Sequence, residues 1–164
     1  MESEIFVHYG SKKFDKNLFE SIKNQYFVKP QGGLWASSVN AKYGWKDWNE
    51  YSGFRKCQEE NSFKFRLKEN AKVCIINKIE ELRSLPENGA YKNEEYKNVL
   101  SRSVIKDIKC LDFEKLVTMG YDAILVNISS DQRLYWALYG WDCDSLLVFN
   151  KEIIEEVKDE INND

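Results

Sequence analysis

At 164 residues, 43% hydrophobic and 31% charged, the chain has the makeup of a globular protein long enough to bury a core. A net charge of −3 argues against a nonspecific nucleic-acid binder, and the longest apolar run falls far short of a membrane span. One histidine and four cysteines with no CxxC spacing exclude zinc-finger and histidine-rich metal sites. The opening MESEIFVHYG is too short and too polar for a secretory leader, so a cytoplasmic protein with reduced thiols is expected. Aromatic residues reach 14%, and Trp and Tyr serve sites that stack flat ligands as well as cores.

In chain order, EIFVHY (residues 4–9) reads as a short strand that ends at the only histidine, His8, beside Gly10 and Ser11. Asp15 is placed to cap a helix over KNLFESIKNQ, where Leu18, Phe19 and Ile22 recur at helical spacing. KPQGG is a turn, and GLWAS a second strand. SVNAKYGWKDWNEY reads as a helix or helical turn interrupted by Gly44, with Trp45 and Trp48 on one face. NSFKFRL alternates as a half-buried strand, whereas the near-continuous apolar run AKVCIIN suggests a more central one.

Asn77 then caps a helix, KIEELRSL, which ends before Pro86. NEEYKNVLSRSVIKDI is partly helical in pattern, and LDFEKLVTMG is a short helix between Asp112 and Gly120. YDAILVNI is a strand, SSDQRLYWALYGWDCD a turn with a short strand or helix, and SLLVFN another strand. KEIIEEVKDEINND closes as a strand end or helix, with residues 157–164 an acidic tail. Strands and helices do not alternate regularly, so the expected fold is a single α+β domain spanning 1–164.

No GxxxxGK[ST], GxGxxG, HExxH or GxSxG motif is present, and no local motif supports a Cys–His pair. What stands out is an ordered set of short pieces. FVHYGS closes the first strand, GGLWASS leads through VNAKYGWKDW, and GYDAILVNI is followed by DCDSLLVFNKEII. In that order they resemble the ADP-ribosyltransferase fold of the diphtheria toxin-like and poly(ADP-ribose) polymerase-like enzymes. They also resemble bacterial and phage proteins that share the GGLWAS…YGWKDW stretch.

The resemblance implies a split, mainly antiparallel sheet, NAD as substrate and no metal. It implies transfer of ADP-ribose to a macromolecular acceptor, a protein rather than a nucleic acid, with no membrane partner. By it, His8 would hydrogen-bond the adenosine-side ribose, and Tyr9 or Gly10 would face the nicotinamide carboxamide. Ser11 would add a hydroxyl. Trp35, or Leu34 in another register, would stand at the second motif with Ser37 on the same strand, and Tyr43 or Trp45 would stack on the nicotinamide. The family places a glutamate at the start of the last motif strand. Here Ser145 occupies that position, so the carboxylate role passes to Asp144 or Asp142.

The chemistry suits these residue types. Positive charge develops on ribose as neutral nicotinamide leaves, and a carboxylate stabilises it. An aromatic face holds the ring, and glycine allows close backbone approach. Two other classes fit the same pattern. One is an NAD glycohydrolase toxin that transfers to water. The other is a non-catalytic binding or inhibitor protein, for example phage-encoded, that keeps the fold without the reaction.

Overall fold

Seven short strands form one sheet in the order β4-β5-β6-β2-β1-β3-β7 in a computed structural model of the chain. The structure describes residues 4–25, 29–88, 108–138 and 140–157. The strands are β1 (Phe6–Tyr9), β2 (Leu34–Ser38), β3 (Ser62–Leu67), β4 (Val73–Ile76), β5 (Ala123–Val126), β6 (Ser145–Val148) and β7 (Ile154–Val157). The described helices are α1 (Trp45–Ser52), α2 (Ile79–Arg83), α3 (Phe113–Thr118) and α4 (Gln132–Ala137). Only β4 and β5 run parallel, and every other pair is antiparallel. The α+β, mainly antiparallel reading therefore holds. No described helix is long and apolar enough to cross a membrane.

Strand alternation sorts the apolar residues onto opposite faces. Cys74, Ile76, Ile124, Val126 and Leu147 point to the side covered by α2, α3 and α4, where Leu82, Leu116 and Leu134 are fully buried. Phe6, Phe63, Phe65, Leu125, Leu146 and Val148 form the opposite core, closed by Phe14, Ile153 and Ile154. Each such side chain contributes about 1.5–3 kcal/mol by leaving water. The network of Asp131, Arg133 and Glu80 then ties α4 to α2: Asp131 caps α4, accepts from the Ile79 N–H at 2.9 Å and pairs with Arg133.

The sheet is split. β1 pairs with β2 only at Phe6↔Ser38 and Val7↔Ser37. Beyond Val7, β1 continues against β3 through Tyr9↔Ser62, while Leu34 to Ala36 of β2 stay on β6. A gap opens between them where His8 and Trp35 face each other.

Several expectations change. Residues 16–25 are not helical. The backbone there serves the returning turn: Glu20 C=O accepts from Gly33 N–H, and Lys23 exchanges bonds with Gln31. Of the supposed stripe only Ile22 reaches the core, and Leu18 is 79% exposed. Asp15 caps a local turn, accepting from Asn17 N–H. β4 is an edge strand rather than a central one, and Ile75 faces solvent. The fully buried strands are β5 and β6. Tyr43 lies outside α1, which starts after Gly44, and α2 is capped at Lys78, one residue beyond Asn77. The chain after Asn150 forms a 3₁₀ turn and then β7. The stretch expected to be partly helical, residues 93–108, lies outside the described residues up to 107, as does the tail beyond Val157.

Candidate functional site

A cleft of about 450 Å³ occupies the split. Val7, His8, Tyr9 and Gly10 of the first strand and its turn form one wall, and Trp35, Ala36 and Ser145 form the other. Trp45 at the start of α1, the 55–58 loop with Asn61, Lys29, and the Gly140–Asp142 loop close it. A second hollow of about 410 Å³ shares Val7, Tyr9 and Trp45 with it.

His8 bridges the gap. Its Nδ1 lies 2.7 Å from the Trp35 carbonyl. A carbonyl only accepts, so Nδ1 carries the proton. Burial lowers the ring's pKa below 6.5, and the bond to Trp35 offsets this only in part. The ring is therefore neutral at pH 7, with Nε2 a bare acceptor. Gly10 keeps that nitrogen approachable: a Cβ there would sit 3.6 Å from Nε2, and its φ of +127° disfavours one.

The same contact frees the backbone of Tyr9. Gly10 N–H donates to Asn61 on the β3 side, while Ile5 C=O accepts from Val39 on the β2 side. Alternation then aims the N–H and C=O of Tyr9 toward β2, beyond the last β1–β2 pair. The Trp35 carbonyl that would accept from the Tyr9 N–H is taken by His8. The Tyr9 N–H thus lies beyond the last ladder pair, on the cleft side.

Ser37 is a positioning residue. Buried on β2, its hydroxyl donates to Asp144 C=O at 2.8 Å and accepts from Trp45 N–H at 2.9 Å. This pins the start of α1 to the sheet, helped by Asp47, which accepts from Gly44 N–H at 2.8 Å. Trp45 then stacks on Trp48 at 5.2 Å, and Trp35 meets the buried Trp141 edge-on at 4.7 Å. Leu34, the alternative at the second motif, packs with the opposite core instead.

The aspartates separate. Asp144 is 4% exposed and does not line the cleft. Its carboxylate accepts from Ser129 N–H and hydroxyl at 2.8 and 2.7 Å and from Tyr43 N–H at 3.2 Å. That binds the loop after β5 to the approach to α1. Asp142 is half-buried and is the only carboxylate among the cleft's lining residues. Tyr43 faces a shallower hollow with Trp48, Tyr51 and Tyr135, which Asp142 also borders. Ser11 lies outside the cleft and donates to Lys13 C=O.

Sequence reading passed over Lys29, Trp141 and the stretch FRKCQ, which supplies Arg55, Lys56, Cys57 and Gln58. The Arg–Lys pair next to Phe54 was the visible sign of that wall. Arg55 and Lys56 give that wall positive charge, which suits an anionic ligand group. Burial and then Glu50 raise the thiol of Cys57, so it is protonated at neutral pH and no Cys–His nucleophile forms with His8. Burial pushes Cys143 up to about 11, against a smaller opposing effect of its Ser145 hydrogen bond. Among the described residues, no group of His, Cys, Asp and Glu is arranged to hold a metal ion. No protein family, curated protein or solved structure matches this chain.

Proposed function

We propose that the protein breaks NAD at its nicotinamide–ribose bond and transfers ADP-ribose to a macromolecular acceptor, as an ADP-ribosyltransferase. The observation that carries this reading is the convergence of His8, Trp35 and Asp142 on one cleft. They come from the strand and loop pieces that resemble the family, and the cleft lies at a split in the sheet.

In this reading the Tyr9 N–H and C=O pair with the oxygen and amide of the carboxamide. Trp45 flanks the ring, since Tyr43 faces the neighbouring hollow. His8 Nε2 accepts from a ribose hydroxyl, and Arg55 and Lys56 face the pyrophosphate. The C1′–N1 bond breaks with both electrons leaving on the nicotinamide nitrogen. Asp142 stabilises the resulting oxocarbenium charge. The acceptor nucleophile then bonds C1′ and gives up its proton to water. The acceptor is read as a protein, because the hollow beyond Asp142 is walled by Tyr43, Trp48, Tyr51 and Tyr135, aromatics typical of protein recognition.

The test is nicotinamide release together with labelling by tagged NAD. Asp142→Asn is expected to lose about a hundredfold or more of the rate, the scale of one lost transition-state contact, with Tm unchanged. Asp144→Ala is expected to cost about 3 kcal/mol of stability by unpairing the Ser129 and Tyr43 donors. Full turnover in Asp142→Asn would overturn the assignment. Release without labelled protein would move the reaction to hydrolysis.

A further inference from the structure

The Lys29 ammonium sits 5.4 Å from the centroid of Trp35 and 5.9 Å from that of Trp45. The placement follows from the chain. Pro30 is buried, and a residue before proline is held extended, so Lys29 is delivered into the cleft mouth as the chain turns toward β2. Once there, Nζ has no hydrogen-bond acceptor and no ion-pair partner among the described residues. Asp142 attracts it only through space. Partial burial disfavours the charged ammonium there and lowers its pKa, and the protein offers its three N–H donors no acceptor in return.

The surroundings suit another cation better. Two indole faces attract positive charge, and a nearby carboxylate adds to the field. A flat N-alkylated ring has no N–H to satisfy at its charged nitrogen and presents more surface to an indole face than an ammonium does. We infer that Trp35, Trp45 and Asp142 form a site for a flat cationic ring, which Lys29 occupies until that ligand displaces it. Identifying the ring as the pyridinium of NAD rests on the function proposed above, whereas the cation site itself does not. Release of neutral nicotinamide would then let Lys29 return, favouring product exit.

The probes are 1-methylnicotinamide, a pyridinium cation, and neutral nicotinamide, titrated by calorimetry against wild type, Lys29→Met, Lys29→Gln and Lys29→Arg. Wild type is expected to bind the cation about tenfold more tightly than the neutral ring. Lys29→Met and Lys29→Gln are expected to tighten the cation by about a further tenfold with no loss of Tm, and Lys29→Arg to leave it near wild type. Equal affinity for cation and neutral ring overturns the cation site. Weaker or unchanged binding of the cation in both neutral variants overturns the displacement and makes Lys29 a ligand contact or a bystander. Tighter cation binding in the variants without NAD binding by any protein would uphold this inference while the NAD reading fails. NAD binding unaltered by the Lys29 changes would do the reverse.

Discussion

His8 joins structure and site through opposite edges of one ring. Nδ1–H holds the Trp35 carbonyl across the split, and Nε2 is left to accept. Asparagine places its amide nitrogen near the Nδ1 position, so His8→Asn separates the roles. His8→Ala is expected to lose about 1–3 kcal/mol in urea unfolding, and His8→Asn to recover most of it while NAD binding stays weak in both. The pH dependence has a definite sign. The folded ring titrates below 6.5, so the unfolded chain takes up the proton first. Stability is complete above pH 6.5 and falls with acid from there down through the folded pKa. His8→Asn should flatten that part of the profile, and an unchanged profile would disprove the neutral, buried ring. A lone histidine next to glycine was visible in the sequence. Its partner, Trp35 C=O, was not, because a contact across 27 residues leaves no local pattern.

The same division governs the elements. GLWAS and SLLVFN were legible as strands because short aliphatic and aromatic runs bounded by turn residues have few alternatives. KNLFESIKNQ was misread because its apolar spacing is helical while its backbone bonds go to Gln31 and Gly33. Tertiary pairing overrode a weak local preference there. The glycines of that turn are what permit it. Gly33 has φ +72°, and a Cβ would meet Val148 C=O at 2.7 Å and Leu147 Cδ1 at 2.8 Å. Gly33→Ala is therefore expected to cost about 2 kcal/mol or more and to weaken ligand binding by displacing Trp35 along β6. Gly53 has φ +68° with open space around it, so Gly53→Ala should cost only about 1 kcal/mol. Equal losses in chemical denaturation would show that backbone strain alone acts at both positions.

For the whole molecule, the interrupted β1–β2 ladder leaves a cleft in the sheet. The Tyr9 N–H, beyond the last β1–β2 pair, has to be met by water or a ligand. A ligand of the folded state must stabilise it by mass action. NAD at about a hundredfold excess over Kd is expected to add about 2.7 kcal/mol, a rise of several degrees in Tm for a chain this size. No shift at millimolar NAD would favour the non-catalytic binding reading. The sequence alone determined the α+β class, most strands, the cap at Asp112 and the motif order, because these depend on neighbours within a few residues. The tertiary structure decided which aspartate faces the cleft. Asp142 and Asp144 are chemically alike and two residues apart, yet only the fold brings Ser129 and Tyr43 to one and Lys29 and the indoles to the other. The arrangement of charge and backbone across distant strands cannot be read from spacing, because it exists only once the strands are paired.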